Sequence, residues 1–164
     1  MDSIFVVLYA CLESNYVNIS FFRQWSERLI GLSTCPKDWL ISLTTASSED
    51  EVSNVLRDCL LETGEILGDR YNQLLLGFLY LAYQKQLISP EKFVGELIDV
   101  VDAADMEIIG CGNILVEPTG TMSVENVDGC VLEVLKQFAE DCSRLFKRLD
   151  AEVIYEKEKE IFEQ

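Results

Sequence analysis

The side chains able to do chemistry in this sequence are carboxylates. Glu96, Asp99, Asp102 and Asp105 recur every three residues, which on a helix makes a winding ridge of like charge. Phe93, Leu97, Ile98 and Val101 fall on the opposite side, so the ridge is expected to face solvent. Neighbouring like charges cost a helix roughly a few tenths of a kcal/mol each, so the arrangement stabilises nothing locally. What it could do is receive a basic partner, because complementary potentials raise association rate and specificity. The adjoining loop adds Glu107, Asn113, Glu117 and Thr119, and Glu125 and Asp128 extend the surface beyond it. Across 91–141, twelve acids stand against Lys92 and Lys136, a net of −10 within a chain of −16. The competing reading is a solvated helix face, the commonest fate of a charge run.

The residues that are missing exclude more. There is no histidine, so no Ser-His-Asp triad, Cys-His dyad, histidine base or Cys/His zinc site can be assembled. No Gly-rich loop ends in Gly-Lys-Ser/Thr, and Gly110-Cys111-Gly112 has Leu115 where a dinucleotide fingerprint needs glycine. No catalytic residue and no cofactor is assigned. One enzyme alternative stays open. Glu62-x-x-Glu65 and Glu96-x-x-Asp99 place carboxylates one turn apart on two helices; if those helices were neighbours, their oxygens could hold Mg²⁺ against a nucleotide's phosphates. These four residues resemble the paired motifs of the all-α nucleoside-triphosphate pyrophosphohydrolases, which implies a magnesium-dependent nucleotide hydrolase. The intervening stretch is longer than that family shows, and acid pairs of this spacing also occur at Glu125/Asp128 and Glu160/Glu163.

Charge narrows the partners. With 29 acidic and 13 basic side chains, the chain repels phosphate backbones and anionic membranes, whose affinity for proteins comes from Lys and Arg. A basic protein is the expected partner. In size, acidity and lack of catalytic groups the chain resembles the immunity proteins that bacteria make against their own secreted toxins. The resemblance implies an inhibitor that neutralises a basic toxin domain, such as a nuclease, by one-to-one binding. No residue carries over from it. A third class, an oligomeric adaptor, would use the charged end and Tyr155, Ile161 and Phe162 to form a homodimer through the C-terminal helix.

The elements that must position these groups read as all-α. A chain of 164 residues suits one domain, here a helical bundle of about six to seven helices with a small irregular or β-hairpin insert near residues 106–122. Residues 3–14 fit a helix, with a strand as alternative, and Asn18 or Ser20 opens a second helix ending near Gly31. Pro36 suits the first turn of a short helix carrying Trp39, Leu40 and Leu43. Ser48 and Glu51 form a capping box for a helix stopping near Gly64. Asp69 can cap a helix that is apolar nearly all round over 74–83, and Ser89-Pro90 reads as cap and first-turn proline. A long last helix follows from about Asp128; if it ran to Phe162 it would span ~50 Å, so its charged end, 150–164, is expected to project, fray or pack on another copy.

Six cysteines, at 11, 35, 59, 111, 130 and 142, show no Cys-x-x-Cys and no zinc-like clustering. Cys59, Cys130 and Cys142 sit in helical apolar patterns and read as free, buried thiols. No Lys or Arg precedes the apolar stretch 4–12, and 74–83 has about half the length of a membrane span. The expected setting is therefore the cytoplasm.

Overall fold

A computed structural model describes residues 2–103 and 123–164. The segment read as a hairpin or irregular insert, 106–122, lies outside the described residues. Among those described there are nine α-helices and no strand, as an all-α chain requires. They are α1 (Ile4–Glu13), α2 (Ile19–Leu32), α3 (Asp38–Thr45), α4 (Glu49–Thr63), α5 (Asp69–Gln84), α6 (Pro90–Ala103), α7 (Gly129–Lys147), α8 (Ala151–Lys157) and α9 (Lys159–Phe162), with a 3-10 turn at Val124–Asn126.

Local chemistry explains most of the boundaries. Asn18 caps α2, its side chain accepting from the N–H groups of Ser20 and Phe21. Ser48 accepts from Glu51 N–H at 3.2 Å, while the Glu51 carboxylate takes the N–H and hydroxyl of Ser47 at 2.7 and 2.8 Å. The capping box is therefore closed one residue further out than its usual form. Gly64 ends α4 at φ +70°, the left-handed conformation glycine adopts without a Cβ penalty. Ser89 caps α6 through Lys92 N–H at 3.1 Å, with Pro90 in the first turn. Asp69 is not a cap. Gly68 occupies that position without a side-chain bond, and Asp69 is the first helical residue, where its charge still suits the N-terminal dipole. Pro36 also lies outside α3 and pairs instead with Glu163 in an isolated antiparallel bridge.

Within the length expected of one domain, the chain divides into two compact units. The first comprises the residues up to Leu12, Val17–Ile66 and Arg144–Gln164. Its core is aromatic: Trp39 meets Phe5 edge-on at 5.1 Å between ring centroids, and Phe162 lies 6.2 Å from Trp25 and 5.9 Å from Trp39. Buried Ser26 bonds to Phe22 O at 2.7 Å and to the Thr44 hydroxyl at 2.8 Å, linking α2 to α3; among the described residues no buried side-chain nitrogen or oxygen lacks a partner. The last helix does not run on and does not project. It stops at Lys147, and Asp150 caps α8 by accepting from Glu152 and Val153 N–H. Residues 159–164 then fold back on their own unit. Phe162 is fully buried, Lys37 N–H donates to Phe162 O, and Gln164 N–H donates to Cys35 O, both at 3.0 Å. The ring proposed for self-association is thus occupied within the chain.

The second unit comprises Glu13–Tyr16 and Leu67–Ser143. Helix α5 is buried from Leu76 through Ala82, as its near-continuous apolar run demands. It meets α6 through Tyr83 stacked on Phe93, 4.7 Å apart and 16° from parallel. Against α7 the approach is closer. A Cβ placed on Gly77 would lie 2.6 Å from Cys142 Sγ and 2.7 Å from the Phe138 carbonyl oxygen, so only glycine fits at this crossing.

Candidate functional site

Helix α6 is built to show one face to solvent. Phe93, Val94, Leu97 and Val101 are buried, and Ser89 and Pro90 fix where the helix begins. The register then leaves Asp99 and Asp102 exposed and Glu96 half-buried. Lys92 reaches Glu96 at 3.6 Å, an i, i+4 pair open to solvent and worth at most a few tenths of a kcal/mol. Asp99 and Asp102 make no ion pair among the described residues.

The remaining bases of this unit are engaged elsewhere. Arg70 pairs with Asp141, Lys136 pairs with Glu133, and Lys85 donates to Tyr16 OH at 2.6 Å with its ammonium 4.4 Å from the ring centre. None of these pairings, among the described residues, neutralises the outer edge of α6. The turn Val124–Asn126 packs on α6 and carries exposed Glu125, so the structure brings Glu125 to the element that bears Glu96, Asp99 and Asp102. Asp128 has a structural duty: its Oδ1 accepts Cys130 N–H at 2.7 Å at the start of α7. Asp105, Glu107, Asn113 and Glu117 lie outside the described residues.

The four carboxylates of the magnesium alternative lie on α4, in the loop that follows it and on α6. Helix α4 ends at Thr63, so Glu62 is helical while Glu65 lies beyond the Gly64 cap; the two do not share a helix face. Glu62 and Glu65 belong to the first unit, Glu96 and Asp99 to the second. No group of three or more His, Cys, Asp or Glu placed to hold a metal occurs among the described residues.

The cysteines separate by environment. Cys11, Cys59 and Cys142 are buried free thiols, and Cys35 is exposed. Burial, reinforced by Glu62 and Asp58, pushes the Cys59 thiol up to about 12, which keeps it protonated and unreactive. Cys130 corrects the expectation of a buried free thiol. It is exposed in the first turn of α7 and disulfide-bonded; helical spacing gives it an apolar register, which does not by itself bury a residue at the start of a helix.

A second feature went unread in the sequence. On α2, Phe21, Gln24, Trp25 and Arg28 share one face at i, i+3, i+4 and i+7 spacing. With Phe146, Lys147, Leu149 and the start of α8 they line a cleft of about 330 Å³ in the first unit. Only the α2 half of this pattern is visible locally, because its other wall comes from residues more than a hundred positions later.

Comparison with protein-family models, curated proteins and solved structures finds no match for this chain. No helix among the described residues is long and apolar enough to cross a membrane.

Proposed function

We propose that this chain is an acidic protein-binding module, and that it works as an inhibitor neutralising a basic toxin domain, such as a nuclease, by one-to-one binding. The observation that supports this reading is the outer face of α6, where Asp99 and Asp102 stand exposed without a counter-ion among the described residues while the bases of the same unit are held by other groups. A negative face of this kind steers a basic partner and suppresses acidic ones. Glu96 and Glu125 flank it; Asp105, Glu107, Asn113 and Glu117 follow it in sequence.

The setting is where Cys130 changes the reading. Buried thiols suit a reducing cytoplasm, but a disulfide persists in oxidising surroundings, so the proposal is not restricted to the cytoplasm.

The test is capture of the tagged protein from its native host, with identification of co-purifying chains and a salt series. The expected result is one basic, stoichiometric partner released by high salt. Reversal of Asp99, Asp102 and Asp105 to lysine should slow association while leaving the helical content unchanged. A partner whose association rate is untouched by the triple reversal would reduce the face to a solvated helix surface.

A further inference from the structure

The cleft in the first unit inverts the chemistry of the rest of the molecule. Acids outnumber bases by more than two to one in the sequence, yet Arg28 and Lys147 both line this cleft, and Asp150 is its one acid. Asp150 is already employed, its Oδ1 accepting from Glu152 N–H at 3.2 Å and Val153 N–H at 3.3 Å to cap α8. Arg28 and Lys147 are exposed and make no ion pair or side-chain hydrogen bond among the described residues. The walls are aromatic and held in place. The Trp25 indole N–H donates to Leu149 O at 2.6 Å, and Phe21 lies 5.4 Å from Phe146, tilted by 32°. A concave, largely apolar space of several hundred Å³ with a few convergent polar groups is the usual form of a small-molecule site.

We infer that this cleft binds a small aromatic acid, its planar body against Phe21, Trp25 and Phe146 and its carboxylate between Arg28 and Lys147. Each half of the ligand answers one half of the lining. The rings supply apolar area and offset stacking, and the guanidinium and ammonium supply charge-assisted hydrogen bonds to the anionic head. A bare inorganic anion would leave the aromatic wall unused, and a neutral arene would draw nothing from the two cations.

The experiment follows the indole N–H resonance of Trp25 in the ¹⁵N-labelled full chain, distinguished from that of Trp39 by the Trp39→Phe variant, during titration with 2-naphthoate. 2-Naphthol and inorganic phosphate are titrated in parallel. Saturable movement of the Trp25 signal by 2-naphthoate is expected. Binding should be weaker by about tenfold for 2-naphthol, and for 2-naphthoate in the Arg28→Gln/Lys147→Gln variant, as loss of a charge-assisted contact implies. Both substitutions are at exposed positions, and unchanged circular dichroism would show that the variant is folded. No movement of the Trp25 signal at millimolar 2-naphthoate would overturn the assignment. So would equal binding of 2-naphthol, undiminished 2-naphthoate binding by the double variant, or phosphate binding as well as 2-naphthoate.

Discussion

Replacing Gly77 by alanine tests the packing of the second unit at its tightest point. The new methyl carbon would sit 2.6 Å from Cys142 Sγ, 2.7 Å from the Phe138 carbonyl oxygen and 2.8 Å from the Phe138 carbonyl carbon, against a comfortable carbon contact of roughly 3.5–4.0 Å. About 1 Å of separation must be found. Two of the three obstructing atoms are backbone, so α5 and α7 must move apart where they cross. Forcing a methyl into a packed site costs about 1–3 kcal/mol, and alanine returns at most about 1 kcal/mol of helix propensity. With two backbone atoms in the way the cost lies in the upper part of that range, about 2–3 kcal/mol. Even after the full propensity return the net expectation is a loss of about 1–2 kcal/mol, lowering the thermal midpoint by about 2–8 °C. Gly31, in α2, has nothing within 4 Å of the same construction, so Gly31→Ala should be neutral or stabilising by up to about 1 kcal/mol. Far-ultraviolet circular dichroism in a urea series measures both. Adding Cys142→Ala to Gly77→Ala relieves the sulfur contact and leaves the carbonyl ones, so the double variant should recover only part of the loss beyond what Cys142→Ala alone costs. A Gly77→Ala protein as stable as the parent would refute the close-crossing argument.

Glu163 should make the first unit sensitive to acid. Its carboxylate accepts from Tyr155 OH, from Thr34 N–H at 2.9 Å and from the Thr34 hydroxyl at 3.1 Å, and these bonds, Tyr155 first, hold it down to about 2 from an ordinary 4.5. Because the folded value is depressed, the stabilisation is present above about 4.5 and disappears as pH falls towards 2; Glu163→Gln should therefore be less stable than the parent at neutral pH, with the difference in urea midpoint shrinking across that window. A difference independent of pH would disprove the linkage. For the thiols, iodoacetamide at mildly alkaline pH should label exposed Cys35 in the native protein and leave buried Cys59 untouched until urea unfolds it. Peptide mapping by mass spectrometry reads the contrast, and equal labelling of the two would contradict the burial of α4's inner face.

What could be read from the sequence was what local chemistry decides. Ser48 with Glu51, Gly64, and Ser89 with Pro90 each act within a few residues of themselves, and each marks a boundary the fold uses. Helix α1 was ambiguous because a fully apolar run fits a buried strand as well as a buried helix; eight of its ten residues are buried, so its periodicity was erased by burial on nearly every side. The break after α7 was missed for a similar reason. Leu149 and Ile154 continue an apolar pattern, and the sign that the helix stops is Asp150 acting as a cap, a residue that on periodicity alone reads as solvent-facing. The acidic face was legible because i, i+3 spacing lies within one helix. The cleft was not, because Arg28 and Lys147 meet only through tertiary packing. Cys130 shows the limit of spacing from the other direction, since a residue can keep apolar register in a first turn and still be exposed.

The interruption of the first unit has a consequence in time. Residues up to Ile66 leave the ribosome before the stretch 67–143 and must wait for Arg144–Gln164 to complete their unit. At about 5–20 residues per second that delay is ~4–16 s, during which Trp25 lacks its acceptor Leu149, and Trp39 lacks Phe162. Most of the second unit, by contrast, emerges in one continuous stretch. The half-made first unit therefore shows its aromatic surface to the cell throughout that interval, and a chain stalled anywhere in 67–143 presents chaperones and proteases with a core that has no lid.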